Sequence, residues 1–329
     1  MNVSVFIPTR DSARWVGQFL AAYREIGIEP FYIVDTRSKD STFDVLRTMG
    51  ARVIPFTPTC DYVEAGMIEF GATQMPTKWV IRIDDDEFPT RGLLKWAQTV
   101  AASSLDQVWS LSRRELFFRD GAIVYSRAST RYMNGYRPDF LHPQMRMFNT
   151  DRVRFNDKIH GAGFDDPLFF DFAPADIYLI HLDCLLRSPT ERLQKITRYE
   201  DIAPGSSSGL ADLYLPELFS DTHHRSACDG LKQFSDLLNA IPFAEQSVPT
   251  IHPDLLAVFK RAVQLNAEHL ASLPLPPSKL STHDFRWLKH IPLACRREVA
   301  KGLSTFGAKK LSHGIWAYLD VMESIKIRT

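Results

Sequence analysis

Trp79-Val80-Ile81-Arg82-Ile83-Asp84-Asp85-Asp86-Glu87-Phe88-Pro89 decides how this chain is read. Apolar residues broken only by Arg82 run straight into four consecutive acids. A short β-branched and aromatic run of this kind predicts a buried strand. Strands of α/β sheets open at their carboxyl ends into the crevice where ligands bind, so the acids fall where a site would be. Side chains alternate on an extended chain. That predicts Asp84 and Asp86 on one side and Asp85 and Glu87 on the other. Two carboxylates this close repel unless a cation lies between them. Hard oxygen ligands suit Mg²⁺ or Mn²⁺ shared with phosphates. The competing reading is a solvated acidic turn that favours the start of the helix expected after Thr90.

Outward from this stretch, strand and helix alternate. Val3 to Ile7 predicts a strand ended by Pro8. Asp11 or Ser12 caps a helix in which Trp15, Phe19, Ala22 and Ile26 recur at spacings of three and four, closed by Gly27. Phe31 to Val34 is the second strand, with Asp35 at its end. Ser41 and Asp44 resemble a capping box opening a helix that stops at Gly50. Arg52 to Phe56 is the third strand. A helix through Val63, Met67 and Phe70 leads to the Trp79 strand, and Leu93, Leu94, Ala97 and Val100 mark the helix after it. Short crossovers of this kind imply a parallel sheet with helices on its faces.

Beyond Val108 the rhythm changes. Leu116 to Phe118 and Ile123 to Tyr125, about Arg119-Asp120-Gly121, predict a hairpin. Gln144 to Phe148 and Arg152 to Phe155 flank Asn149-Thr150-Asp151 and predict another. Ile177 to Ile180 is a strand ending at His181. Ser188-Pro189-Thr190-Glu191 is a capping box with proline at the first helical position. Pro204-Gly205-Ser206-Ser207-Ser208-Gly209 reads as a linker, which divides residues 1–203 from a mostly helical region, 210–329.

The 329 residues suffice for one large or two ordinary domains. Thirty-nine basic and thirty-nine acidic residues cancel, so charge argues for no nucleic-acid partner. Cys60, Cys184, Cys228 and Cys295 are scattered without a CxxC pair, which suits reduced thiols. No apolar run approaches the ~20 residues of a spanning helix, and Met1-Asn2-Val3 enters a strand without a signal-like leader. A cytoplasmic protein is expected, or one peripheral at the inner face of a membrane. The second location would use the basic stretch Arg286, Lys289, Arg296, Arg297, Lys301, Lys309 and Lys310, which reads either as a solvated helix face or as a surface for anionic headgroups.

Ile7-Pro8-Thr9-Arg10-Asp11 resembles the opening of family 2 glycosyltransferases, which have the GT-A fold. Ile33-Val34-Asp35 through Thr42 is similar to that family's second strand and loop. Ile83-Asp84-Asp85-Asp86 falls where the family has its DxD motif. Ser112 to Phe117, Tyr136 to Asp139, Arg146 to Phe148, Val153 to Phe155, Ile159-His160, and Ile180-His181 with Lys195, Arg198 and Tyr199 resemble its lipopolysaccharide-core glucosyltransferase branch. The likeness covers about residues 1 to 200. Thr36 and Arg37 replace the usual acid or Asn and the Gly, and Gly161 stands where the branch often has Glu.

The resemblance implies an α/β, GT-A-like, mostly parallel sheet with helices on both faces and a helical C-terminal extension. It implies a metal-dependent enzyme that moves a sugar from a nucleotide-sugar, UDP-linked, to a glycan, lipid-linked or other cell-envelope acceptor. Asp84, Asp86 and His160 would hold Mn²⁺ or Mg²⁺. Pro8, Thr9, Asp11, Asp35, Asp84 and Asp85 would bind the donor. Asp139 is the first choice for the base that takes the acceptor's proton, and Asp157 the second. Arg113, Arg114, Arg146 and His181 would meet phosphate or acceptor. Against each stands a bland role: acids after strands cap turns, arginines form ordinary ion pairs, and a lone histidine is commonly structural. Two rival functions share such a sheet. A sugar-1-phosphate nucleotidyltransferase usually has a glycine-rich loop after its first strand, which Pro8 to Arg14 lacks. A non-catalytic sugar-nucleotide or glycan binding protein would bind without turnover.

Overall fold

Apolar alternation in the first strand sets both layers of the fold. A computed structural model of the chain describes residues 2–59, 66–102, 104, 106–126, 143–157, 161–165, 167, 170–219, 224–226 and 231–272. In β1 (Val3–Thr9), Val3, Val5 and Ile7 enter one core cluster and Phe6 enters another on the opposite face. β2 (Phe31–Asp35) and β4 (Trp79–Arg82) repeat the pattern: Tyr32, Val34, Trp79 and Ile81 join the first cluster, Ile33 and Val80 the second. With β3 (Arg52–Phe56) these strands run parallel in the order β3-β2-β1-β4. Strands buried on both faces need apolar residues at successive positions.

Helices cover both faces, as expected. α1 (Val16–Glu25), α2 (Thr42–Thr48) and α4 (Leu93–Ala101) bring Phe19, Leu20, Leu46, Leu93 and Ala97 to the first cluster. α3 (Met67–Thr73) brings Met67, Ile68 and Ala72 to the second. α3 lies so close to the sheet that a methyl group on Gly71 would come within 2.9 Å of Phe6 and 3.0 Å of Ile33. Gly71→Ala should therefore destabilise the chain by about 1–3 kcal/mol, as overpacking does, read as a lower urea midpoint at unchanged slope.

β8 (Gln144–Asn149) joins β4 antiparallel, and β6 (Val108–Arg119) joins β8. The twelve-residue β6 is irregular between Trp109 and Ser110. Its first part also pairs with β9 (Phe170–Phe172), and its second part with β7 (Ala122–Ser126) and β10 (Tyr178–His181). The β6–β7 hairpin forms where expected. Asp120 and Gly121 both take positive φ, 50° and 77°, which suits a two-residue turn. β11 (His224–Ser226) lies beyond β7. β5 (Glu87–Pro89) pairs with β10. The two registers align Glu87 with His181 and His181 with Glu115 in one row across three strands.

Three local readings are corrected, the first at α1, which opens from Trp15 with no side-chain cap by Asp11 or Ser12. The second expected hairpin does not form. Gln144–Asn149 pairs instead with β4 and β6, while Phe155 makes only a bridge to Phe164. Val153 and Phe155 pack on the second core cluster, which takes them from a β8 partner. At α2, Ser41 makes no side-chain cap, and the Thr42 N–H donates to Asp40 at 3.0 Å instead. The capping box at Ser188 does form, with reciprocal bonds between Ser188 and Glu191, and it opens a helix over Pro189–Ile202.

Residues 204–209, read as a linker, turn tightly against that helix. The Glu200 carboxylate accepts the N–H groups of Gly205, Ser207 and Ser208, each at 2.6 Å. Arg192, fully buried, then ties the helix to the following segment through the Tyr214 carbonyl at 2.6 Å and the Glu217 carboxylate at 2.6 Å. Ile196, Ala211, Leu215 and Phe259 form a third apolar cluster, which seats the helix over Pro253–Ser272.

Candidate active site

A cavity of about 590 Å³ opens at the carboxyl ends of β1 and β4, where such a sheet offers ligands a crevice. The chain leaves β4 after Arg82 and turns: the Glu87 N–H donates to the Asp84 carbonyl at 3.0 Å. Asp84, Asp85 and Asp86 consequently all line the cavity, while Glu87 is fully buried. The expected alternation of the four acids is corrected here. An extended chain would align like charges, whereas the turn gives each acid its own partners.

Asp84 accepts from Arg82 Nε at 2.8 Å and from Arg146 at 2.5 Å. Burial would raise its pKa, but Arg146 and Arg82 outweigh burial and hold it at about 2. Asp85 is held by hydroxyls instead, those of Thr9 at 2.7 Å and of Ser12, while Trp15 Nε1–H donates to its carbonyl at 2.9 Å. Burial and the neighbouring Asp86 raise its pKa to about 6. Asp86 accepts from Arg187 at 2.7 Å, and its other oxygen lies 3.2 Å from His181 Nε2. Burial opposes its charge, but His181, Arg187 and Lys195 keep its pKa well below the usual range. His181 Nδ1 hydrogen-bonds Glu115. Burial would lower the His181 pKa, and Glu115 and Asp86 raise it to about 10. Beneath the turn, Glu87 accepts from Arg146 at 2.6 Å, from Arg113 at 3.2 Å and from the Asp84 N–H at 3.1 Å.

The residues singled out from the sequence divide three ways. Pro8, Thr9 and Asp11 line the cavity beside the Asp84–Asp86 turn, and Arg113, Arg146 and His181 line it from β6, β8 and β10. Asp35, Arg114 and Asp157 do not line it. Asp35 is buried at the end of β2, where its carboxylate accepts from the Arg37 backbone N–H at 2.8 Å and its guanidinium at 3.0 Å. Arg10, a cavity residue, stands 3.7 Å from Asp35. Arg114 projects from the other face of β6, 3.6 Å from the centre of the Tyr178 ring, so a cation–π contact replaces the expected phosphate contact. Asp157 accepts the Gly66 N–H at 2.6 Å at the start of α3, and this cap replaces its reading as a base. Asp139 and His160 lie outside the described residues.

Glu115, Asp183 and Arg187 are not among the site residues chosen from the sequence, and Glu87 enters there only as the last of the four acids. Asp183 accepts from Arg187 and, at 3.2 Å, from Lys195, and these residues line the cavity beside the turn, since Arg187 also donates to Asp86 at 2.7 Å. Arg113-Arg114-Glu115 on one strand carried a signal, since alternation sends Arg113 and Glu115 to the same face.

The donor set can be tested against a divalent cation. Among the described residues no group of three His, Cys, Asp or Glu is arranged to hold one. Asp86 and His181 are paired with each other instead, 3.2 Å apart, and the raised His181 pKa makes this an ion pair whose Nε2 proton a cation would have to displace. Glu115 behind His181 Nδ1 fixes the ring so that Nε2 faces Asp86, the support that metal-ligating histidines ordinarily have. Two protein ligands and open positions suit a cation shared with phosphates. Of the expected set Asp84, Asp86 and His160, both Asp84 oxygens are held by arginines, the Asp86 oxygens by Arg187 and His181, and His160 lies outside the described residues.

No family model matches the chain. It is 24% identical over 203 residues to an uncharacterized glycosyltransferase of Rickettsia felis, covering 60% of this chain and 66% of that one. It is 25% identical over 178 residues to another from Rickettsia bellii, covering 52% of this chain and 55% of that one. The chain thus spans between about half and two thirds of the length of these curated relatives. Among solved structures, S. aureus TarS 1-349 in complex with UDP aligns with all of this chain and 92% of its own, at 12% identity and a TM-score of 0.42.

Proposed function

We propose that the chain is a glycosyltransferase that moves a sugar from a nucleotide-diphosphate-sugar to an acceptor hydroxyl, in the manner of the family 2 enzymes that it resembles. The observation that carries this reading is the acid turn Asp84–Asp86 in the wall of a cavity at the strand ends, flanked by Arg82, Arg146 and Arg187. In the transfer, a bond forms between the acceptor oxygen and the sugar's anomeric carbon. The bond from that carbon to the diphosphate breaks, and its electron pair leaves with the phosphate oxygen. A Mn²⁺ or Mg²⁺ held by Asp86 and His181 would stabilise the charge that grows on the diphosphate.

The chain's own groups supply the frame. Asp85, fixed by Thr9, Ser12 and Trp15, offers a carboxylate acceptor to a ribose hydroxyl. Pro8, Thr9, Arg10 and Asp11 form the nucleotide end. Arg113 and Arg146 lock the turn from below through Glu87. The acceptor's proton goes to a carboxylate, for which the resemblance nominates Asp139. A glycan or lipid-linked envelope precursor is the acceptor class that this reading implies. The basic stretch from Arg286 to Lys310 would then meet an anionic surface. No helix among the described residues is long and apolar enough to cross a membrane.

Thermal unfolding in the presence of UDP, GDP and their sugars, with and without Mn²⁺, tests the proposal. Saturation at a hundredfold Kd adds about 2.7 kcal/mol, so a rise of roughly 5 °C or more is expected with one nucleotide. Release of free sugar from that nucleotide-sugar should follow on incubation. Binding without release would instead mark a binding protein on the same scaffold.

A further inference from the structure

We infer that the Arg10 guanidinium reads the base of the donor nucleotide, and that Arg37 keeps it available by taking up the Asp35 carboxylate. The inference deepens the nucleotide-sugar reading and rests on it. The strand order sets the acid turn and Asp35 on either side of β1, the turn after β4 and Asp35 at the end of β2. Neighbouring strands lie about 4.8 Å apart, so about 10 Å separates the two across the strand ends. A ribose bridges a gap of that order between a diphosphate and its base. β1 touches both sides: Thr9 bonds Asp85 at 2.7 Å, and its pairing with Val34 brings Arg10 next to Asp35.

Two arginines and two aspartates meet on the β2 side. Asp35 is fully buried and receives the Arg37 backbone N–H at 2.8 Å, its Nε at 3.2 Å and its Nη2 at 3.0 Å. A fork of this kind satisfies a carboxylate. Arg10 accordingly stands back at 3.7 Å from Asp35, beyond hydrogen-bond reach. Its Nε donates to Asp11 at 3.2 Å, and the other Asp11 oxygen accepts the Lys39 N–H at 2.6 Å. Asp11 takes a φ of 52°, a strained value for a residue with a side chain, and such strain persists at ligand clamps. Arg10 and Asp11 line the cavity, whereas Asp35 and Arg37 do not. A ligand therefore meets a guanidinium here, beside an Asp11 carboxylate with both oxygens engaged and with Asp35 sealed behind. A guanidinium only donates. It suits the carbonyl edge of uracil or guanine and disfavours the amino group that cytosine or adenine carries at the matching position. Without Arg37, Asp35 would draw Arg10 into an ion pair, and the base would lose its donor.

Calorimetric titration of the full chain with UDP, CDP, GDP and ADP in Mg²⁺ tests this. All four share ribose and diphosphate, and within each pair of equal ring size a carbonyl stands in for an amino group. UDP should bind about tenfold or more tighter than CDP, and GDP than ADP, the equivalent of one charge-assisted hydrogen bond. Arg10→Met keeps an apolar stem without donors and should bring each pair within about threefold. Arg37→Ala should narrow the preference likewise, through Asp35. Adding Asp35→Asn to Arg37→Ala should restore it, since a neutral amide no longer captures Arg10, and a mere loss of packing would give no such recovery. No preference in the parent, a preference kept in Arg10→Met or Arg37→Ala, or no recovery in the double variant would overturn the inference. Binding of none of the four nucleotides would overturn the donor reading instead, and this one with it.

Discussion

Asp86→Asn should lower sugar transfer about a thousandfold or more while the chain still folds. Asp86 is the acid whose oxygen sits 3.2 Å from His181 Nε2 and whose other oxygen receives Arg187. An amide of the same shape keeps the packing but removes the charge that a divalent cation needs. The fold tolerates the change because no buried charge is left alone. Arg187 retains Asp183, and His181 retains Glu115. The stability loss should be that of a charge-assisted hydrogen bond, about 1.5–3 kcal/mol. Turnover measured across a Mn²⁺ titration, beside thermal unfolding of both proteins, separates the two effects. Parent-like turnover in Asp86→Asn, or after exhaustive chelation of the parent, would remove the cation from the proposal.

The same residues show why part of this site was legible in the sequence and part was not. The alternation of strand and helix over roughly the first hundred residues depends on local pattern. Its short crossovers correctly forecast a sheet covered on both faces, with Val3, Val5 and Ile7 toward one cluster and Phe6 toward the other. The capping box at Ser188 depends on four consecutive residues, and it too formed as read. The acid turn depends on partners far along the chain. Arg146 is 62 residues from Asp84, and Arg187 is 101 from Asp86. Nothing in Ile83 to Glu87 records those partners, so an extended run was the natural reading. Residues 204–209 show a nearer reach, from side chain to backbone. Their composition reads as a linker, and within it a glycine and two serines offer three N–H groups that the Glu200 carboxylate binds. Composition does not record that a nearby carboxylate can gather such a backbone.

Arg146→Leu should be the most destabilising single change at the site. Arg146 is 3% exposed and bonds both Asp84 and the fully buried Glu87 through one terminal nitrogen. Removing it leaves Glu87 with Arg113 at 3.2 Å as its remaining cation, and Arg113 is shared with Glu115. Breaking a buried pair from one side costs about 3–5 kcal/mol. For a chain of this size that lowers the unfolding midpoint by on the order of 10 °C. Glu87→Gln should cost less, because Arg146 keeps Asp84 and Arg113 keeps Glu115. The double variant is the decisive measurement. With the glutamate neutral, the leucine no longer strands a charge, so the pair should be more stable than Arg146→Leu alone. A coupling energy of about 1–3 kcal/mol in the double-mutant cycle is expected for residues in one network. Strict additivity would mean that the Glu87–Arg146 bond adds nothing beyond its packing, and that the acid turn is held by its other partners, Arg82, Thr9, Ser12 and Arg187.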